Sequence, residues 1–466
     1  MDARERERLR QFVASPYFNR HGATADLLDF ILKELGRSKP RLTEENARAA
    51  VNSTQSIASL QSALMKLINR FLAVEQLQAE PFREEVLTVK RTRELQRFKL
   101  LDNRGRRLET KISRHPYRDA AAHLAAYEWK NINGYRRGED NRADTREMQA
   151  MLDHLDRYYI VEKLRHACQL TANMMQLNTH YDLLFLEPVL EYLNSDAGRT
   201  LLTTEPSVDV YYHILLSLRE PDDPDHYARL LYYLGEGLSS LPADQQSDTY
   251  GFASNYCIQR IMSGHNDFRR ALFDLYRRGI ATGLMYDNGG EISEFNYKNV
   301  VTIGTAVQEF TWTGDFIESH RERLPDKSRA NAYALNKAKF LYARGELDAA
   351  AQLLVTVTDS DIIYHLARVI LEVRIAYDQE DQEYALHLLE NFRLYVRRSR
   401  RMSTKDKRSY ASYVRLTRQL VNLKAQRGYV AQEVYRKKMA GLHDASRTTN
   451  PLVERGWLVA ESAPPA

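Results

Sequence analysis

Residues 339–354 read KFLYARGELDAAAQLL, and the expected architecture follows from them. Lys339 to Ala343 continue a helix, Gly345 supplies the left-handed residue on which a helix commonly ends, and an apolar run resumes at Leu347. Asp348 is placed to cap the second helix, and Ala349 to Ala351 are small enough to let two helices approach closely. A helix, a Gly-Glu-Leu-Asp turn and a second helix form the expected unit.

Two further stretches repeat this reading, WTGDF at Trp312–Phe316 and QEDQEYALHLL at Gln379–Leu389. They put turn centres near 314, 345 and 380, spaced 31 and 35 residues apart. A looser copy, MSGHNDFRRALFDLY, occupies Met262–Tyr276. Over residues 253–392 the chain resembles tetratricopeptide repeats, whose period is about 34 residues, with Ala350 and Ala385 at the small position of the second helix. Lys337 stands where that family carries an apolar residue, and no proline closes a repeat. The resemblance implies stacked helical hairpins and brings no chemistry with it.

Composition agrees. Glycine (20) and proline (13) are scarce in 466 residues, while Leu, Ala, Arg, Glu and Tyr are plentiful, which suits helices and starves strands. The expected fold is all-α: an irregular helical-hairpin, tetratricopeptide-like, right-handed solenoid with a small N-terminal helical head. Hydrophobic residues make up 43% of the chain, enough for a core. Mean hydropathy is nevertheless −0.54, and no apolar run of about 18 residues occurs, so no membrane partner is expected. The start, MDARERERLR, is charged where a secretory signal needs an apolar region. Cys168 and Cys257 are too few for a disulfide framework, so buried thiols and a cytoplasmic location are expected.

Five regions follow. Residues 1–80 form the helical head, with helices expected over Glu5–Ala14, Ala25–Leu35 and Ile57–Leu77, the first broken by Ser15-Pro16. Residues 81–118 form a basic helical connector, 119–252 helical hairpins, 253–392 the repeat-like region, and 393–466 C-terminal helices with a capping tail. Polar breaks are expected at Asn133-Gly134, Glu220–Pro224, Leu241-Pro242 and Asp287–Gly290. Trp457 and Leu458 read as an apolar plug, and Glu461–Ala466 as a frayed end.

A wider resemblance rests on FVASPYFNR (Phe12–Arg20), SLQSALMKLINRFLAVE (Ser59–Glu75), FNYKNVV (Phe295–Val301), WTGDFIESHRERLP (Trp312–Pro325) and GWLV (Gly456–Val459). On these the chain resembles an all-helical protein family of Bacteroidetes-type bacteria. That family has no established activity or ligand, so the resemblance implies origin and compartment and carries over no functional residue.

Candidate chemistry is sparse. Glu162/His166, Asp361/His365 and Glu383/His387 each put an acid and an imidazole on one helical face, as metal ligands require, but so do ordinary exposed i,i+4 pairs. No HExxH, GxxxxGK[ST], GxGxxG, GxSxG or CxxC pattern occurs, so the expectation is a non-enzyme without cofactor or metal. Two basic segments stand out against a net charge of +5. Arg83–Arg118 carries twelve Lys or Arg against five acids, and Arg393–Arg408 groups Arg397, Arg398, Arg400, Arg401, Lys405, Lys407 and Arg408 behind Phe392 and Tyr395. Such segments serve as solvated outer faces, or bind an acidic protein or phosphate backbones. Residues 279–301 also resemble one pentatricopeptide unit, which would favour RNA, but a single unit reads no sequence. In the head, Ser59–Glu75 is amphipathic with Lys66 and Arg70 expected outside, as packing and recognition helices alike can be.

The 28 tyrosines include the pairs Tyr158-Tyr159, Tyr211-Tyr212 and Tyr232-Tyr233. Tyr suits shallow helical cores and peptide grooves alike. The expected function is a cytoplasmic protein–protein interaction scaffold that binds a peptide or acidic protein partner. Nucleic-acid binding through 83–118 and 393–408 is the second reading. The candidate binding residues are Arg91, Arg93, Arg97, Arg104, Arg397, Arg398, Arg401, Tyr211 and Tyr232.

Overall fold

The computed structural model describes residues 2–140, 146–177, 179–287, 289–358 and 362–463. Among these the regular structure is helical and no strand occurs; Tyr286 and Ile292 form an isolated bridge. No helix is long and apolar enough to cross a membrane among the described residues. The chain divides into two compact units, Met1–Thr249 and Tyr250–Ala466.

The first unit begins with α1 (Ala3–Ala14), α2 (Gly22–Leu35), α3 (Glu44–Ala50) and α4 (Ile57–Ala79). Asp2 and Glu5 form a capping box that starts α1, and the helix stops before Ser15-Pro16 as expected. Leu9, Val13, Leu27, Leu60, Leu64 and Phe71 meet in the head's core, each such burial contributing roughly 1.5–3 kcal/mol. Lys66 and Arg70 are exposed.

Next, α5 (Arg83–Glu94) and α6 (Phe98–Ser113) fold back on each other and pack against α7 (Ala120–Asp140), which pairs with α8 (Arg146–Leu177). Gly105 in α6 is a packing requirement, because a Cβ there would lie 1.9 Å from the Trp129 ring of α7. The break expected at Asn133-Gly134 does not occur, since α7 runs through it. Asn133 is buried, and a Cβ on Gly134 would sit 3.0 Å from the Met148 sulfur, so helix pairing overrides the local turn signal. The unit continues through α9 (Leu186–Asn194), α10 (Asp196–Thr204), α11 (Pro206–Arg219) and α12 (Pro224–Tyr233) into α13 (Ala243–Met262). The breaks at Glu220–Pro224 and Leu241-Pro242 fall between helices as expected.

The second unit contains α14 (Phe268–Thr282), α15 (Glu294–Ala306), α16 (Phe310–Ser319), α17 (Arg329–Ala343), α18 (Leu347–Leu354), α19 (Ile362–Asp378), α20 (Gln382–Arg398), α21 (Thr404–Ala425), α22 (Gln432–Thr448) and α23 (Arg455–Ser462). One turn recurs in the pairs α15/α16, α17/α18 and α19/α20. Gln308, Gly345 and Glu380 are left-handed, with φ of 62°, 79° and 61°. The following N–H of Glu309, Glu346 and Asp381 reaches back to the carbonyls of Gly304, Leu341 and Ala376 at 2.9, 3.0 and 2.9 Å. This is the Schellman arrangement, and its last residue starts the next helix. Five residues beyond each left-handed residue stand Thr313, Ala350 and Ala385, all 0% exposed. The first helices of successive pairs also touch, α15 with α17 and α17 with α19.

Three sequence readings are corrected here. WTGDF lies inside α16, not at a turn, because Gln308 takes the left-handed position. Glu346 rather than Asp348 occupies the N-cap of α18, and Asp348 instead accepts a hydrogen bond from Gln379 at 2.8 Å. The C-terminal end is not frayed through Ser462, which is buried in α23 and donates to the Leu458 carbonyl at 2.6 Å; residues 464–466 lie outside the described residues. Lys337, the expected departure, reaches Glu318 of α16 at 2.6 Å and so ties α17 to its neighbour. Leu458 is fully buried and Trp457 packs on Tyr377 at 5.5 Å, consistent with the plug reading.

Candidate functional site

The second basic segment shapes a groove. Ser403 caps α21 by accepting the Asp406 N–H at 3.1 Å, which lays α21 beside α20 after the short connection 399–403. Between the two helices lies a cavity of about 730 Å³ lined by Val396, Ala411 and Val414 and edged by Arg393, Arg397, Lys407, Arg408, Arg415 and Arg418. Val396 and Val414 belong to the core beneath, so the floor is rigid. Glu390 is the acid of this rim: Arg393 and Arg418 both hydrogen-bond to it at 2.6 Å and hold its carboxyl down at about 2. Arg397, Lys407, Arg408 and Arg415 have no acidic partner among the described residues.

Part of this placement works against local helix energetics. Arg397 and Arg398 end α20, where a cation complements the helix dipole. Lys405, Lys407 and Arg408 instead crowd the start of α21, where only Asp406 offsets them. Cations near a helix N-terminus cost a few tenths to about 1 kcal/mol each.

On the other side of α20, Arg398, Arg400 and Arg401 border a cleft of about 600 Å³ with Tyr395 and Asn391. Thus α20 and the connection after it bring Arg397, Arg398 and Arg401 to one end of the helix pair. Arg393, Arg415 and Arg418 complete the groove but are not among the residues singled out from the sequence. Their signal was readable: 393, 397 on α20 and 404, 407, 408, 411, 415, 418 on α21 recur at three or four residues and so share a face.

The first basic segment behaves differently. Arg91 pairs with Glu94 at 2.6 Å, and Arg104 is half-buried, donating to the Thr92 hydroxyl at 2.5 Å. Arg83 and Lys90 both contact Glu128, and Lys111 contacts Glu85, so these cations stitch the α5/α6 hairpin and fix it to α7. Arg93 and Arg97 are exposed at the hairpin tip beside Leu95 and Phe98. The two basic segments lie in different compact units.

Tyr211 is corrected: it is 0% exposed, and its hydroxyl donates to Asp248 at 2.7 Å, so it is a core residue with no face for a partner. Its neighbour Tyr212 is buried too, donating to Asn194 at 2.8 Å. Tyr232 is exposed on one side, with the Arg229 guanidinium 4.7 Å from its ring centre.

Of the acid–imidazole pairs, Glu162 and His166 stand 3.4 Å apart on an exposed face, and His387 contacts the Asn391 amide at 2.9 Å. Asp361 lies outside the described residues. Comparison with family models, curated proteins and solved structures returns no match.

Proposed function

We propose that this protein is a non-enzymatic interaction scaffold that captures an acidic, amphipathic segment of a partner protein in the α20/α21 groove. The observation that carries the reading is the combination of an apolar floor with a rim on which Arg397, Lys407, Arg408 and Arg415 have no acidic partner among the described residues. The partner's apolar side chains would lie over the exposed Ala411 between the buried Val396 and Val414, while its carboxylates meet Arg397, Lys407, Arg408 and Arg415 and offset the misplaced charge at the start of α21. The recurring turn and the stacking of α15, α17 and α19 support a tetratricopeptide-like right-handed solenoid as the frame. A reducing cytoplasm and membership of the Bacteroidetes-type family belong to the same proposal.

Nucleic acid is the second reading, favoured by the exposed Arg93 and Arg97. Fluorescence anisotropy separates the two. An acidic amphipathic peptide should bind the full chain and lose at least about tenfold in affinity with Arg397→Glu plus Arg408→Glu, since like charges brought together cost several kcal/mol. Ala411→Trp, which fills the groove without touching the rim, should do the same. If a single-stranded oligonucleotide binds instead, with a steep salt dependence that Ala411→Trp leaves unchanged, the scaffold reading fails.

A further inference from the structure

The connection between α11 and α12 brings together a set of side chains that neither the helical core nor the groove uses. Asp209, in α11, is 4% exposed. Its Oδ2 accepts from Arg229 Nε at 2.6 Å and from the Tyr233 hydroxyl at 2.8 Å, leaving Oδ1 facing His213 Nε2 at 3.5 Å. His213 Nδ1 in turn lies 3.0 Å from Nδ1 of His226, in the first turn of α12. His226 is 8% exposed, and its Nε2 makes no hydrogen bond. That atom points at two carboxylates, Asp223 Oδ2 at 3.5 Å and Glu220 Oε2 at 4.0 Å.

One set of tautomers fits the network. In it the proton of His213 sits on Nε2, facing Asp209, which leaves a lone pair on His213 Nδ1. The short contact between the two rings then requires the N–H to be on His226 Nδ1. In this set His226 Nε2 presents a lone pair to the two anionic oxygens. The neighbouring guanidiniums are held elsewhere, Arg219 by Glu187 at 2.9 Å and Arg229 by Asp209. Three acceptors facing one another in this way are an arrangement that a cation would complete.

We propose that Glu220, Asp223 and His226 bind a divalent metal ion of the zinc type, with His213 and Asp209 as the relay that orients the imidazole. Metal–nitrogen and metal–oxygen bonds of about 2.0–2.2 Å in a tetrahedron set ligand atoms about 3.4 Å apart. The Nε2–Asp223 separation already matches, and the exposed Glu220 side chain needs only a small closure. Asp223 can serve as ligand and cap at once, because its Oδ1 accepts the Asp225 N–H at 2.9 Å while Oδ2 faces the site. One imidazole and two carboxylates leave a fourth position for water, and His213, backed by Asp209, would take the place of the carboxylate, carbonyl or water that usually accepts the other N–H of a metal-ligating histidine. The ion would pin the end of α11 to the start of α12.

Isothermal titration of the full chain with Zn²⁺, after treatment with a chelator, tests this. One Zn²⁺ per chain should bind at this site, and Glu220→Gln with Asp223→Asn should weaken that event by at least about a hundredfold. Asn caps a helix as well as Asp, so unchanged thermal unfolding of the metal-free variant shows that only the site was altered. His213→Phe should leave the three ligands in place yet weaken binding by about tenfold or more. Absence of a stoichiometric event in the parent chain, or an event undiminished in Glu220→Gln/Asp223→Asn, overturns the proposal and leaves a proton as the occupant of the cluster.

Discussion

At Gln308 and Glu380 the chain adopts the same left-handed conformation as at Gly345, and only the glycine does so without a Cβ to accommodate. Replacing either residue by Gly should therefore raise stability by up to about 1 kcal/mol, the gain being reduced by the greater freedom of glycine in the unfolded chain. Gly345→Ala should lose about 1 kcal/mol. Urea unfolding midpoints of the three variants, taken with equal slopes, check both directions. Gly345 announced its turn in the sequence because glycine is the residue such a turn prefers. Gln308 announced nothing, and the turn near 380 was read from its spacing and the helix that follows rather than from Glu380, since both backbones are fixed by the Schellman hydrogen bonds and by burial of Thr313 and Ala385 five residues on. Gly314 misled for the converse reason: it sits inside α16, 3.4 Å from the Phe340 ring when given a Cβ. Tyr211 was misplaced because a tyrosine in a helix gives no sign of whether its hydroxyl has a buried partner such as Asp248.

At the scale of elements, helix period made α1, α2 and α4 legible, with the apolar faces of α2 and α4, while contacts between helices were not. Gly105 shows what such a contact demands. In an isolated helix Gly→Ala would add stability, yet here the methyl group would overlap Trp129 of α7. Gly105→Ala should thus cost about 1–3 kcal/mol, and Gly105→Ala with Trp129→Phe should recover part of it; thermal unfolding of both measures the coupling. The groove has the same character. Its cations were visible as a basic run, but their division between rim and far side of α20, and the apolar floor between α20 and α21, arise only when two helices meet.

For the molecule as a whole, the all-α character was legible because composition and period agree over the entire length; the division at 249/250 falls inside α13, which runs through it and through Gly251. Acid sensitivity is also a property of the whole. Burial, aided by the charges of His123, Arg157 and Lys130, holds His154 down at about 4, and burial lowers His320 as well. The unfolded chain takes up these protons near pH 6.5 and the folded chain only at lower pH. Their contribution is therefore complete above pH 6.5 and is lost as pH falls towards 4. The urea midpoint should drop between pH 7 and pH 5, and His154→Gln should flatten that drop. Finally, the two cysteines are each 0% exposed, Cys168 in the first unit and Cys257 in the second, and burial pushes the Cys168 thiol well above its ordinary range. An alkylating reagent consequently meets no thiolate until a unit opens, and mapping which cysteine is modified first times the opening of each unit separately, without any engineered label.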